Sequence, residues 1–185
     1  MRIIFDEYGD SLHQLNIRDI KTYDYKSMEN LKEIIKILSN GDKFYFQFAR
    51  EDYFLEDNEL LEYRNQVPQY LKQNGFYEVK YRLDETRFDS IGYLPTNEGT
   101  YNQILILWQY FETLVFFNPS SILSWKEFGN KFDWKKPLIS PFEFIEKKYT
   151  NSIFIKGHDG DNLIFIYGRD FDESLIKDVI RFIGN

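Results

Sequence analysis

Two apolar runs near the C-terminal end of the sequence, "SIFIK" (152–156) and "NLIFIYG" (162–168), enclose the polar stretch "GHDGD". β-Branched and aromatic residues on both sides of an Asp-Gly pair are a strong hairpin signal, because the type I′ turn needs positive φ at both central residues. With Asp159-Gly160 as a two-residue loop the register follows. His158 faces Asp161, Lys156 faces Leu163, Ile155 faces Ile164, Phe154 faces Phe165 and Ile153 faces Ile166. That pairing gathers Ile153, Ile155, Ile164 and Ile166 on one face without a mismatch, which fixes the register wherever a face is buried. The following "DESLIKDVIRFIG" reads as an amphipathic helix. Asp172 is its cap, and Leu175, Ile176, Val179, Ile180 and Ile183 form its apolar stripe.

The rest of the chain mixes strands and helices without a β-α-β rhythm. "RIIFDEYGDSLHQLNI" reads as two strands around a Tyr-Gly-Asp turn. "SMENLKEIIKILSNG" reads as a helix with Ser27 as N-cap, Leu31, Ile34, Ile35 and Leu38 as its buried face, and Gly41 as its left-handed close. "KFYFQFA" alternates as a strand with Phe44, Phe46 and Phe48 on one side. A helical pattern from Asp57 to Asn74 is interrupted by Pro68 and ended by Gly75. "FYEVKYRL" and "RFDSIGYL" read as antiparallel partners. A helix is expected near Tyr101 to Thr113, with "LVFF" as its continuation or a separate strand. A further helix after Pro119 would carry Ile122, Leu123 and Trp125. In "SPFEFIEKKY" Ser140 is the N-cap, Pro141 the first helical residue and Glu143 the partner in a capping box. The order predicts an α+β fold: a mainly antiparallel sheet with helices packed against it, ending in a β-hairpin and an amphipathic helix. Residues 1–185 suffice for one such domain, or for two packed lobes with a seam in "PTNEGT" (95–100).

Composition narrows function by exclusion. The chain has no cysteine, which removes disulfides, thiolate metal sites and cysteine nucleophiles. The net charge of −7 and scattered basic residues argue against a nucleic-acid partner. The longest apolar stretch, Ile104 to Phe117, is interrupted by Gln109 and Glu112 and is too short to span a membrane. No secretory signal pattern opens the sequence, so a cytoplasmic location is expected. Aromatics reach 19% while alanine occurs once, at Ala49. Together with abundant Ile, Asn and Lys this reads as AT-rich codon usage in a bacterium or phage, and as core filling rather than a sticky surface.

Candidate reaction centres are few. His158, Asp159 and Asp161 together resemble a ligand group, but a catalytic metal needs three protein ligands with outer support, and the only other histidine, His13, is remote in sequence. The stretch therefore reads as an exposed, mobile turn. Asp159/Asp161 and Asp170/Asp172 imitate the Asp-x-Asp of sugar-nucleotide enzymes, a pattern too short to be specific. Phosphate-loop, dinucleotide, zinc-protease and nucleophile-elbow motifs are missing, and Ser11 beside His13 does not make a nucleophile–base pair. No cofactor and no catalytic residue is assigned. Carboxylate chemistry in a cleft near residue 95 is the enzymatic alternative, and a self-associating structural or regulatory module is another.

What remains is charge placement. In "EDYFLEDNELLE" (51–62) Glu51, Asp52, Glu56, Asp57, Glu59 and Glu62 are acidic and no residue is basic, with Tyr53, Phe54 and Leu55 interleaved. Acids are favourable near a helix start, and Asp57 is a natural cap. The same run also suits docking on a basic protein cleft, with Asp52, Tyr53, Glu56, Asp57, Glu59 and Glu62 as contacts and Trp125 or Trp134 as aromatic anchor or core. In this overall profile, small, acidic, cysteine-free and without catalytic signatures, the chain resembles the immunity proteins of bacterial toxin–immunity pairs. The resemblance rests on no motif and carries over no residue role. It implies a protein that binds a cognate toxin, often a nuclease, and occludes its active site.

Overall fold

A computed structural model describes residues 1–8, 11–51, 69, 73, 75–83, 87–132 and 138–184. Eight strands form one antiparallel sheet: β1 (Arg2–Tyr8), β2 (Leu12–Arg18), β3 (Lys43–Glu51), β4 (Glu78–Leu83), β5 (Arg87–Pro95), β6 (Thr113–Phe117), β7 (Ser152–Lys156) and β8 (Leu163–Gly168). Their spatial order is β1-β2-β8-β7-β6-β3-β5-β4. Among the described residues, five helices pack around it: α1 (Tyr25–Leu38), α2 (Glu98–Tyr110), α3 (Trp125–Lys131), α4 (Pro141–Glu146) and α5 (Glu173–Gly184). The α+β architecture is as expected. "LVFF" belongs to a strand of its own, β6, and strands from both sides of residues 95–100 lie in the same sheet.

The sheet is covered on both faces. On one side α1 packs against α2 and α5, over Leu15, Ile17, Phe44, Phe46, Phe48, Phe116, Phe154, Leu163 and Phe165. On the other, Phe128 of α3 and Phe144 of α4 close over Tyr45, Ile91, Val115, Phe117 and Ile153. Two-sided burial explains why the central strands are nearly continuous in apolar residues. Phe44, Phe46 and Phe48 do share one face, but the intervening positions are buried too. Tyr45 and Gln47 are each 1% exposed. Gln47 is tolerated there because its Oε1 accepts the Ile139 N–H at 2.8 Å.

Several helix ends differ from the sequence reading. α1 begins before Ser27, with Asp24 as N-cap accepting the Lys26 N–H, while the buried Ser27 Oγ accepts the Lys21 N–H at 2.9 Å. α1 stops at Ser39, whose Oγ donates to the Ile35 carbonyl, so Gly41 is no left-handed close; it lies against the Asn118 side chain. Gly75, by contrast, has φ +81°; the helical pattern expected from Asp57 to Asn74 lies, apart from residues 69 and 73, outside the described residues. Ile122 and Leu123 precede α3, which starts after Ser124 with a reciprocal Ser124–Glu127 capping box. In α4 Ser140 caps Glu143 and Pro141 leads the helix as expected, and the Glu143 carboxylate takes the Lys147 ammonium at 2.7 Å. In α5 Asp172 accepts from Ser174, Ile176 and Val179 are buried, and Ile180 is 43% exposed, its expected place against the core taken by Phe182.

Among the described residues, the close of α4 is the one helix end built against residue preference. Tyr149 N–H bonds the Phe144 carbonyl, Lys148 N–H bonds that of Ile145, and the Phe144 and Tyr149 rings meet edge to face at 5.6 Å. This is a Schellman close, and its left-handed position, usually glycine, is Lys148 at φ 57°. The Lys148–Asp170 contact at 3.6 Å joins side chains that are 76% and 75% exposed and contributes little. Lys148→Gly is therefore expected to stabilise the fold by about 0.5–1 kcal/mol, read as a higher urea midpoint at unchanged slope.

A second expectation concerns alkaline pH. Burial pushes the Tyr45 phenol, which donates to the Leu123 carbonyl, up to about 12, and raises Tyr101 and Tyr167 as well. The unfolded chain then ionises first, so the contribution is intact below about pH 10 and is lost as pH climbs beyond it, at roughly 1.4 kcal/mol per pH unit for one such tyrosine. Urea melts from about pH 9 to pH 11 should show a falling midpoint, with a shallower fall in Tyr45→Phe.

Candidate functional site

The strand register brings Glu51, the first residue of the acidic run, and the 157–162 loop to one end of the sheet. Ala49 faces Thr113, Val115 faces Ile155 and Lys156 faces Leu163, so the end of β3 lies beside the start of β6 and the end of β7. Glu51 ends β3 two strand spacings, or about 10 Å, from the 157–162 loop. Of the predicted contacts, Asp52, Tyr53, Glu56, Asp57, Glu59 and Glu62 lie outside the described residues, as does Trp134.

The hairpin keeps the expected register, Ile153 with Ile166 through Lys156 with Leu163. Its loop is not the two-residue type I′ turn. Gly160 N–H bonds the Gly157 carbonyl at 3.0 Å around His158 and Asp159, and Gly157 N–H bonds the Asn162 carbonyl at 2.8 Å. Only Gly160 has positive φ, +70°, so the left-handed residue comes after Asp159 and the loop spans four residues. Two tertiary bonds select this longer form: the buried Trp108 Nε1–H of α2 donates to the Gly160 carbonyl at 2.9 Å, and Ile20 N–H donates to that of Asp161 at 2.7 Å. The tip is exposed at His158 and Asp159 but tethered at Gly160 and Asp161. A Cβ at Gly157 would stand 1.7 Å from Asn162 Oδ1, so a larger residue there must displace the Asn162 side chain, which donates to Asn16.

Lys156, just before the loop, is a residue whose role the sequence reading passed over. Its ammonium reaches beneath the loop and donates to the carbonyl of Phe111, the C-cap of α2. A cation there completes the last turn of the helix and meets the negative end of its dipole. Burial pulls the lysine below its ordinary value, with Glu112 acting in the opposite direction. A signal for this was present in the register, because Lys156 shares parity with Phe154 and faces Leu163, both on the core side.

The imidazole of His158 is 99% exposed, with Nδ1 at 2.9 Å from Asp159 Oδ1. That hydrogen bond and the carboxylate charge raise the histidine above its ordinary value. His13 lies on β2, tilted against the Tyr167 ring at 5.4 Å, and is part of a different cluster. Asp172 caps α5, and Ser174 holds its carboxyl below the usual range. Among the described residues no three His, Asp or Glu side chains come together as a metal site would need, and no helix is long and apolar enough to cross a membrane.

Trp125 is half-buried in an aromatic cluster on the α3–α4 face. Its ring meets Tyr93 at 5.0 Å, Tyr45 at 5.5 Å and Phe128 at 5.7 Å. Its Nε1–H donates to Glu78, and the Lys80 ammonium stands over it at 5.9 Å. The ring thus packs as core on one side and joins β4 to α3 on the other. Taken together, fold and site define an α+β protein whose described strands form one antiparallel eight-stranded sheet, with a tethered loop at the sheet end where β3 finishes. No protein-family model matches the chain, and neither curated proteins nor solved structures yield a match.

The tether makes a separable prediction. Trp108→Phe keeps an aromatic side chain, smaller than the indole, and leaves the Gly160 carbonyl without its donor. It should cost about 1–3 kcal/mol and speed amide exchange at Gly157 and Gly160. His158→Ala, at the exposed tip, should stay within about 0.5 kcal/mol of wild type.

Proposed function

We propose that the protein binds and neutralises a basic protein toxin, acting as an immunity protein whose acidic run at 51–62 docks on the toxin's cleft. One observation carries the reading. Of 30 acidic residues six lie in this twelve-residue run, which has no base, so the remaining 24 face 23 basic residues and the net charge outside the run is −1 rather than −7. The charge excess of the whole chain is thus concentrated in one segment with interleaved Tyr53, Phe54 and Leu55. Such a segment suits fast, electrostatically steered association, with aromatic groups supplying desolvated contact. In this reading the chain works by occlusion and catalyses no reaction.

The test is a pull-down with the tagged protein, from native lysate and against the product of the neighbouring gene, washed at low and high salt. A stoichiometric basic partner that weakens as salt screens the contact is the expected result. The triple substitution Glu56→Lys, Asp57→Lys and Glu59→Lys should weaken capture by tenfold or more, on the order of 1.4 kcal/mol, while circular dichroism stays unchanged. Capture of no partner at either salt overturns the proposal, and so does a partner indifferent to the triple substitution.

A further inference from the structure

β1 is one of the two outer strands of the sheet, paired among the described residues with β2 alone. Its register with β2 is continuous from Arg2–Arg18 to Tyr8–Leu12, without a bulge, and it contains no proline. Two devices that normally blunt an edge are therefore missing from it. Ile3 and Ile4 are half-buried, Phe5 is 52% exposed, and Arg2, Asp6 and Glu7 are exposed.

The order of these residues is self-complementary in one register. When β1 pairs antiparallel with β1 of a second copy and Ile4 faces Ile4 across the two-fold axis, Arg2 faces Asp6 and Ile3 faces Phe5, each pair occurring twice. Arg2, Ile4 and Asp6 lie on one face of the strand and Ile3 and Phe5 on the other, so like meets like in polarity and opposite meets opposite in charge. Neighbouring registers fail. Centring on Phe5 sets Ile4 against Asp6 and Ile3 against Glu7, and centring on Ile3 sets Arg2 against Ile4. The other edge strand contrasts with this. In β4 the register that joins Glu78 to Arg82 places Lys80 against Lys80, a like-charge pair at the axis.

We infer that β1 is a self-association edge: two copies of this chain pair their β1 strands antiparallel about Ile4, extending the two eight-stranded sheets into one. The interface is isologous, as a two-fold dimer requires. The outward row of backbone N–H and C=O groups provides its affinity, and the Arg2–Asp6 pairs fix its register. Arg2 also holds Asp19 through Nε at 2.5 Å and Nη2 at 3.1 Å within its own chain. That bond positions the guanidinium at the strand end, and its 70% side-chain exposure leaves a side open to a second carboxylate. This inference is independent of the toxin-binding proposal.

Sedimentation equilibrium over about 1 to 200 µM is the direct test. The wild type is expected to move with concentration from 22.5 kDa toward twice that mass. Asp6→Arg faces Arg2 with arginine in both halves and should raise the dimer dissociation constant about tenfold or more. Arg2→Asp should do the same with two carboxylates. An equimolar mixture of the two variants restores both opposite-charge pairs and should dimerise although neither variant does so alone. Should Arg2→Asp fail to fold, concentration-dependent amide exchange of residues 3–6 in wild type and Asp6→Arg decides instead: protection that grows with concentration in the wild type only supports the inference. A wild type that stays monomeric throughout the range overturns it, as does a dimer unmoved by Asp6→Arg.

Discussion

A ladder of phenylalanines across the middle of the sheet is the contact on which the rest of the fold depends. On the face beneath α1, α2 and α5, the Phe116 and Phe154 rings stack at 4.7 Å and 1°, and Phe154 continues to Phe165 at 4.7 Å. Phe46 stacks on Phe116 at 5.9 Å, and Phe44 meets both Phe116 and Phe154 edge to face. These pairs join β3, β6 and the β7–β8 hairpin, segments distant in sequence, through their side chains as well as their backbones. Each fully buried ring contributes roughly 1.5–3 kcal/mol by transfer from water, and the aromatic pairs add to that. Because the alternate residues Tyr45, Val115, Phe117 and Ile153 are buried as well, neither face can be left to water. The three long helices on one side and the two short ones on the other follow from this.

The 157–162 loop depends on the same ladder. Phe154 and Phe165 set the hairpin register, and the register carries Lys156 to the core side at the strand end. There its charge is supported by the carbonyl that closes α2 and by the charge of Glu112. Trp108, on the same helix, holds the loop from above through Gly160. Helix end, lysine and loop thus form one unit in which each polar group has its partner. Removing one partner leaves another buried and unpaired, which costs more than the bond itself contributes.

Much of this was legible where one physical cause dominates. Period-two alternation at Phe44, Phe46 and Phe48 and the strand pairing around residue 160 were readable because side-chain parity leaves little freedom. The helix stripe of α1 was readable because Leu31, Ile34, Ile35 and Leu38 can share only one face. The errors lie where a tertiary partner overrides a local preference. Ser27 is a good cap by type, but Lys21 claims its hydroxyl and Asp24 takes the role. Asp-Gly favours a tight turn, yet Trp108 and Ile20 draw carbonyls toward themselves and lengthen the loop to four residues. Lys148 occupies a glycine position because the Schellman bonds and the Phe144–Tyr149 contact determine the backbone there. The second buried face of β3 was missed because Gln47, polar by type, hides a buried position until its bond to Ile139 is seen.

The distribution of charge separates what folds the chain from what is left over. The long-range ion pairs stitch neighbours together: Glu98 at the start of α2 bridges Lys32 and Lys36 of α1, which hold its carboxyl below the ordinary range, and Arg2 ties the start of β1 to Asp19 after β2. Outside 51–62 acids and bases nearly balance, so such pairing can be completed within the chain. Inside that run the sequence carries no base, and its carboxylates, adjacent at 51–52 and at 56–57, repel one another. A cationic surface relieves that repulsion on contact, whereas folding alone would have to bring bases from elsewhere and unbalance the remainder. In the proposed reading the toxin's basic cleft is that cationic surface, and association would strengthen as ionic strength falls.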